Sequence, residues 1–238
     1  MPLFKIADVR FRAELIYPET ERYLKDYLCD TSIDGVEEFF FKTEKSDVLR
    51  EKSAASEPVA DWYYESLAVF RRLCDYIAEK GDGLVFHSSA LAVDGKAYLF
   101  AAKSGTGKST HARLWRQMLG DRAQVINDDK PIIRKAGGTV YVYGTPWTGQ
   151  HHLGNNVKAP LKAICFIRQS KVNEIVKISP SDALSRFFGQ TIIPKERESA
   201  EKFLTLTDEI LRSAKLYSLG CDISRGAAEL SFSAMTED

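Results

Sequence analysis

The sequence predicts an α/β fold. We expect a single domain in which a mixed, twisted β-sheet spans residues 83–238 and an N-terminal α+β elaboration, residues 1–82, packs on it. Strand-like apolar segments alternate with amphipathic helix-like segments, as in sheets flanked by helices. Asp-Gly at 94–95 and Gly-Gly at 137–138 join apolar runs as hairpin turns do, so the sheet is not purely parallel. A glycine-rich segment also lies between an apolar strand and a helix.

Length, charge and cysteine spacing narrow the class of protein. A chain of 238 residues fits one or two domains and needs no disulfide or metal to stabilise its core. Its 33 basic and 33 acidic residues give a formal net charge of zero, which excludes a broad basic surface for nucleic acid. The four cysteines have no C-x-x-C spacing, and no apolar stretch is long enough to span a membrane. We therefore expect a cytoplasmic protein with reduced thiols.

Hydrophobic spacing and turn residues predict the elements in order. The N-terminal region should hold a strand over 3–16, a short helix from Pro18, a strand over 36–42 after Gly35, a loop or frayed helix over 45–58, and a helix from Val59 that ends at Gly81. The core should hold strands over 84–93 and 96–102, a helix over 111–119, strands over 124–128, 131–135, 139–144 and 161–169, a strand over 173–179 that pairs with 161–169, helices over 179–188 and 195–214, a strand over 215–222 and a helix from Ser224.

The glycine-rich segment predicts a phosphate-binding loop (P-loop). Its glycines let successive backbone N–H groups point at phosphate oxygens, and the next helix adds the positive end of its dipole. The lysine is placed to reach the β- and γ-phosphates, and the serine after it offers a hydroxyl to Mg²⁺. Ala102 stands where this motif usually begins with glycine. The predicted nucleotide-binding residues are Ser104, Gly105, Thr106, Gly107, Lys108, Ser109 and Thr110.

Two carboxylates follow the next apolar strand. Asp128 and Asp129 stand at its C-terminal end, which in α/β sheets faces the ligand crevice. Beside a triphosphate, one carboxylate can hold Mg²⁺ while the other accepts a proton from an attacking hydroxyl. The alternative is a solvated turn, because Asn-Asp-Asp-Lys-Pro is also good turn chemistry.

The four histidines and Trp147 lie near these motifs in the sequence. His87 lies one hairpin before the loop and either lines the same pocket or fills the core. His111, in the first turn of the helix, is expected to be structural. Trp147 either stacks on a ligand or anchors its loop in the core. The adjacent pair His151-His152 would point to opposite faces of a strand, so we do not expect joint metal binding.

Residues 83–150 resemble the HPr kinase/phosphorylase family, whose catalytic core is related to ATP-dependent phosphoenolpyruvate carboxykinase. Ser-Gly-Thr-Gly-Lys-Ser is close to the carboxykinase form of the loop, and His87 stands 21 positions before Lys108, as that family's spacing requires. The resemblance implies that Lys108 is the catalytic lysine, that Ser109 is a magnesium ligand, and that Asp129 is the base in phosphorylation and the acid in the reverse reaction. From the needs of phosphoryl transfer, we also expect Asp128 to help Ser109 hold magnesium and His87 to lie across the transferring phosphate.

This chain also departs from the family. The Glu-Ile-Arg-Gly segment of HPr kinases is absent from this chain, and residues 1–82 do not resemble the regulatory N-terminal domain of that family. We therefore expect a divergent kinase that uses ATP and Mg²⁺ to phosphorylate a hydroxyl of a peptide, a protein or a small molecule. Two alternatives stay open: a nucleotide-binding regulatory module without turnover, and a nucleotide hydrolase coupled to a partner. The sequence names neither the acceptor nor the oligomeric state, a homo-oligomer included.

Overall fold

A computed structural model describes residues 1–29, 38–149 and 151–237. The chain divides into two compact units, Met1–Ile77 and Ala78–Asp238, and each contains its own sheet. The predicted organisation, with residues 1–82 packed on a core of residues 83–238, stays a prediction. Gly35 lies outside the described residues.

The N-terminal region combines a small sheet with helices. Its elements are β1 (Leu3–Ile6), β2 (Val9–Glu14), α1 (Pro18–Tyr23), β3 (Glu38–Lys42), α2 (Lys45–Ala54) and α3 (Asp61–Lys80). Strand β2 pairs antiparallel with β1 and parallel with β3. The predicted single strand over 3–16 is wrong: Ala7 and Asp8 both adopt positive φ and form a two-residue hairpin turn without the usual glycine. The segment over 45–58 contains a true helix, which a capping box between Glu44 and Asp47 starts.

A buried carboxylate organises this unit. Glu65 of α3 is fully buried and accepts hydrogen bonds from the backbone N–H groups of Ile16 (2.6 Å) and Tyr17 (3.1 Å). It also accepts from the hydroxyl groups of Thr20 and Thr43. Four donors satisfy the charged oxygens, so the residue holds the segments before α1 and α2 against α3.

The second unit contains a larger sheet and four helices in its described residues. Its elements are β4 (Gly83–Val85), β5 (Ser88–Val93), β6 (Lys96–Ala101), α4 (Lys108–Leu119), β7 (Ala123–Asn127), β8 (Ile132–Ala136), β9 (Thr139–Tyr143), β10 (Lys158–Gln169), β11 (Glu174–Lys177), α5 (Pro180–Phe188), α6 (Arg197–Ser213), β12 (Lys215–Cys221) and α7 (Arg225–Thr236). Both predicted hairpin turns and the predicted Ser179 cap of α5 are present.

The sheet of this unit is mixed and curled. Its strands run in the order β4-β8-β9-β10-β6-β5-β7, with β12 added on β10 and β11 on β12. Strand β10 is long enough to pair with β9 near its start and then, in parallel, with β6 and β12. Since β5 is antiparallel to both β6 and β7, the C-terminal ends of β6, β7, β10 and β12 share one edge. One apolar cluster centres on Phe86, Ile126 and Phe187, and another on Phe100, Trp115 and Leu219.

Two strand predictions need correction. The apolar run 84–93 is not one strand, because Gly83–Val85 pairs with β8 whereas Ser88–Val93 pairs with β6 and β7. The break falls at Phe86 and His87. Strand β11 pairs with β12 rather than with β10, because β12 lies between them.

In the described ranges, no helix has the length and apolarity needed to cross a membrane. Cys29, Cys74, Cys165 and Cys221 are all free thiols.

Candidate nucleotide-phosphate site

The predicted site residues converge on the edge where β6, β7, β10 and β12 end. The segment 102–107 links β6 to α4, and Asp128 and Asp129 follow β7 directly. This edge is where α/β sheets bind ligands, because the loops after parallel strands leave a crevice there.

The loop backbone has the conformation that its glycines favour. Gly105 and Gly107 adopt φ of +76° and +117°, in the left-handed region that suits glycine. Open space lies where a Cβ on either residue would stand. Ala102 is not among the residues with positive φ, so alanine causes no backbone strain at the position where the motif usually has glycine. The loop therefore leaves room for an anion at the N-terminus of α4.

Lys108 begins α4 and folds back over the loop. It is buried, and its Nζ donates a hydrogen bond to the carbonyl oxygen of Ala102 at 3.0 Å. Burial lowers the pKa of Lys108, and the negative charges of Asp129 and Asp128 oppose that shift. The ammonium group thus contacts the loop backbone and lies within electrostatic range of both carboxylates.

Asn127 holds the acidic turn in place. Its fully buried Oδ1 accepts hydrogen bonds from the backbone N–H groups of Asp129 (2.8 Å) and Lys130 (2.7 Å). Its Nδ2 donates to the carbonyl oxygens of Thr145 (2.9 Å) and Trp147 (3.3 Å). One side chain therefore joins the Asp-Asp turn to the loop that follows β9.

The two aspartates face different partners. Asp128 is buried, and its carboxylate accepts a hydrogen bond from the Ser89 hydroxyl. Asp128 also lines a cavity of about 420 Å³ together with Ser109, the serine predicted to hold magnesium. Both are hard oxygen donors, so a divalent cation could bind between them.

Asp129 lies beside two basic side chains. Its Oδ1 is 3.3 Å from Nε2 of His87, and its Oδ2 forms an ion pair with Lys130. Burial raises the pKa of Asp129, but the hydrogen bonds from His87 and Lys130 outweigh burial and leave the pKa below its ordinary value. The carboxylate is therefore ionised at neutral pH and able to accept a hydrogen bond from an incoming hydroxyl.

Three cavities adjoin the loop. One of about 430 Å³ lies between Gly107, α4 and the ends of β10 and β12. One of about 750 Å³ lies between residues 101–106, the end of β10 and α5. The third is the 420 Å³ cavity of Ser109 and Asp128. Each is large enough for part of a small ligand.

The other candidate residues are structural. Trp147 is fully buried, so the interpretation as an exposed stacking platform is wrong. His111 is buried against Phe100, and its Nε2 donates to Ser231 Oγ, which also accepts from Trp115 and donates to the Ala228 carbonyl. Burial lowers the pKa of His111 to about 4, so the ring is neutral. The described residues contain no cluster of three or more His, Cys, Asp or Glu that could bind a metal by itself.

The sequence interpretation missed three residues of this site. Ser89, Asn127 and Lys130 contact the aspartates but were not proposed as site residues. Asn127 carried a usable signal, because Asn before Asp-Asp-Lys-Pro is a strong former of side-chain-to-backbone turns. Ser89 could have been found from its spacing of two from His87 at a strand start.

A comparison with protein-family profiles shows the family to which this chain belongs. The sequence profile of a family described as SynChlorMet cassette protein ScmC matches residues 60–192, more than half of the chain. Among curated proteins, none matches the sequence significantly. The solved structure of the Hpr(Ser) kinase/phosphatase from Coxiella burnetii is similar over 62% of this chain and 91% of that chain, with 9% identity and a TM-score of 0.36. At that TM-score the likeness carries no argument about function.

Proposed function

We propose that this chain, which belongs to the family of SynChlorMet cassette protein ScmC, is a magnesium-dependent kinase that transfers the γ-phosphoryl group of ATP to a hydroxyl. The observation that carries the proposal is the hydrogen bond from Lys108 to the loop backbone, with the ammonium group in electrostatic range of the acidic pair. Phosphoryl transfer needs mainly positioning and charge stabilisation, and this arrangement can supply both.

The loop fits a polyphosphate. Its two left-handed glycines face open space, and α4 begins directly behind them. An incoming phosphate would compete with the Ala102 carbonyl for the Lys108 ammonium, which has three donors to share. The serine and threonine hydroxyls of residues 104–110 add neutral donors around the same anion.

The donor set fits magnesium. Ser109 and Asp128 would hold the ion, and the nucleotide's phosphates and water would complete its shell, because Mg²⁺ usually takes only one or two protein carboxylates. When bound, magnesium neutralises charge on the β- and γ-phosphates. Ser89 would orient the Asp128 carboxylate through their hydrogen bond.

Asp129 would act as the general base. It accepts the proton of the acceptor hydroxyl while the hydroxyl oxygen bonds to the γ-phosphorus and the bond to the β–γ bridging oxygen breaks, which releases ADP. His87, held at 3.3 Å from Asp129, orients the carboxylate and offers a donor to the transferring group. Lys108 stabilises the negative charge that develops on the phosphoryl oxygens.

Calorimetry with Mg·ATP tests the proposal. Lys108→Ala should bind ATP at least about tenfold more weakly than the wild type, since a charge-assisted contact to phosphate is lost. Lys177→Ala is the matched control, because it removes an exposed lysine that lines none of the three cavities at the loop and should change affinity little. Equal ATP affinity in Lys108→Ala and the wild type would remove the phosphate loop from the proposal.

Turnover assays then separate the kinase from its alternatives. Transfer of label from γ-labelled ATP to a hydroxyl compound supports the kinase, whereas phosphate release without any acceptor supports a partner-coupled hydrolase. Tight binding without turnover across a broad acceptor panel supports a regulatory module. We further propose a cytoplasmic location, in keeping with the four free thiols.

A further inference from the structure

The 430 Å³ cavity, here called the β10–β12 cavity, lies beside the phosphate loop. Thr106 and Gly107 of the loop and Thr110 and Leu114 of α4 form one side of it. The residues that end β10 and follow β12 form the other side. The cavity therefore opens directly from the point where α4 begins.

The walls of this cavity are apolar and its rim is polar. Leu114, Ile167 and Ile223 line it, and Ile223 is 79% exposed, so its side chain is accessible to a ligand. Ser170, Lys171 and Asp222 add hydrogen-bonding groups at the rim. A nucleobase has two apolar faces and a polar edge, so it suits walls and a rim of these kinds, and the volume lies in the range of ligand pockets.

A hydrogen bond links the cavity to the loop. Gln169, the last residue of β10, donates from its Nε2 to the carbonyl oxygen of Thr106 at 3.3 Å. The side chain thereby bridges the end of β10 and the phosphate loop. A ligand that bound to both the loop and the cavity would contact one continuous surface.

The direction of the bound nucleotide follows from the sheet order. Strand β7, which Asp128 and Asp129 follow directly, lies on one side of β6, whereas β10 and β12 lie on the other. The acidic pair and Ser109 mark the end where the γ-phosphate and magnesium would bind. The base must then lie at the opposite end of the loop, which is the side of the β10–β12 cavity.

We propose that the β10–β12 cavity binds the base and ribose of the nucleotide, with Leu114, Ile167 and Ile223 packed against the base. This inference rests on the proposed function, because it assumes that the loop binds the nucleotide's phosphates. It adds the subsite that would distinguish a nucleotide from inorganic polyphosphate.

Calorimetry with two probes, Mg·ATP and Mg·triphosphate, tests the inference. Wild type should bind ATP about tenfold more tightly than triphosphate, as expected if the base buries about 60 Å² of apolar surface. Ile223→Ser should lose about fivefold in ATP affinity and nothing in triphosphate affinity, and Leu114→Ala should behave alike. Ile192→Ser is the matched control, because Ile192 is 70% exposed and lines none of the three cavities at the loop.

Each outcome decides between the two proposals. If wild type binds ATP no more tightly than triphosphate, or if Ile223→Ser and Leu114→Ala both keep wild-type affinity for ATP, the β10–β12 cavity is not the base site. The proposed function survives that result as long as triphosphate binding depends on Lys108. If ATP binding is unaffected by Lys108→Ala or does not occur, the proposed function fails, and the base site fails with it.

Discussion

His87 Nε2 and Asp129 Oδ1 lie 3.3 Å apart, although the two residues belong to different strand ends. The contact forms because Phe86 and His87 belong to neither strand and connect the end of β4 to the start of β5. The backbone N–H of His87 donates to the Gln190 carbonyl oxygen at 2.8 Å, which fixes this break. The pair is the part of the site most directly tied to the proposed chemistry.

Exchange of the two aspartates for asparagine should separate their roles. Asp129→Asn should keep ATP affinity but lower phosphoryl transfer by roughly 10²–10⁴, the usual cost of losing a general base. Asp128→Asn should mainly raise the magnesium concentration needed for activity, because it removes an oxygen ligand. Both effects can be measured as the rate of phosphoryl transfer from γ-labelled ATP at a series of magnesium concentrations.

Glu209→Gln serves as the control for the loss of one negative charge, since Glu209 pairs with Lys135 at the surface, away from the phosphate loop. If Asp129→Asn transfers phosphate at the wild-type rate, Asp129 is not the base. If Asp128→Asn instead shows the roughly 10²–10⁴-fold loss of phosphoryl transfer, Asp128 is the general base and Asp129 the magnesium ligand.

Asn127→Leu should destabilise the acidic turn. The substitution keeps a side chain of similar size but leaves the N–H groups of Asp129 and Lys130 and the Thr145 carbonyl without their partner. With several buried groups affected, we expect a loss of about 3 kcal/mol in the free energy of unfolding. Asn127→Asp retains an acceptor for both N–H groups, so it should lose less. Urea unfolding curves that coincide with the wild type would contradict this account.

Glu65→Ala should weaken the N-terminal unit. It leaves the backbone N–H groups of Ile16 and Tyr17 without an acceptor, which should cost about 3 kcal/mol. The Thr20 and Thr43 hydroxyls can still donate to the carbonyl oxygens of Trp62 and Glu14. Hydrogen exchange in residues 1–29 and 38–77 should accelerate, whereas Glu57→Ala, an exposed control, should leave exchange unchanged. Unchanged protection in Glu65→Ala would show that the buried carboxylate is dispensable.

His111 should make the ligand-free protein less stable in mild acid. Its pKa is about 4 in the folded protein against an ordinary value of 6.5, so the unfolded chain binds the proton first as the pH falls. The buried, neutral His111 therefore makes its full contribution to the free energy of unfolding above pH 6.5. This contribution decreases as the pH falls toward 4, by about 3 kcal/mol in total. Urea unfolding at pH 7 and pH 4.5 should show a smaller decrease in His111→Gln than in the wild type. An equal decrease in both proteins would assign the effect to other groups.

The sequence alone predicted the features that depend on neighbouring residues. The hairpin turns at 94–95 and 137–138, the strand–loop–helix order around Lys108, and the start of α5 at Ser179 follow from local conformational preference and hydrogen bonding. The position of Asp128 and Asp129 after a strand was also predictable, because Val125 and Ile126 are β-branched apolar residues directly before the acidic turn. These features need no information about distant segments.

Only the tertiary structure decided which strands pair and what each site residue contacts. The hairpin at Ala7 and Asp8 lacks the glycine that usually marks such a turn. The three polar residues at 87–89 interrupt the apolar run 84–93, but they do not by themselves specify that its two halves pair with different strands. The burial of Trp147 and the five-way bonding of Asn127 depend on the loop after β9 folding over β7. The physical reason is that strand pairing and burial come from contacts between residues far apart in the chain, which hydrophobic spacing alone does not specify.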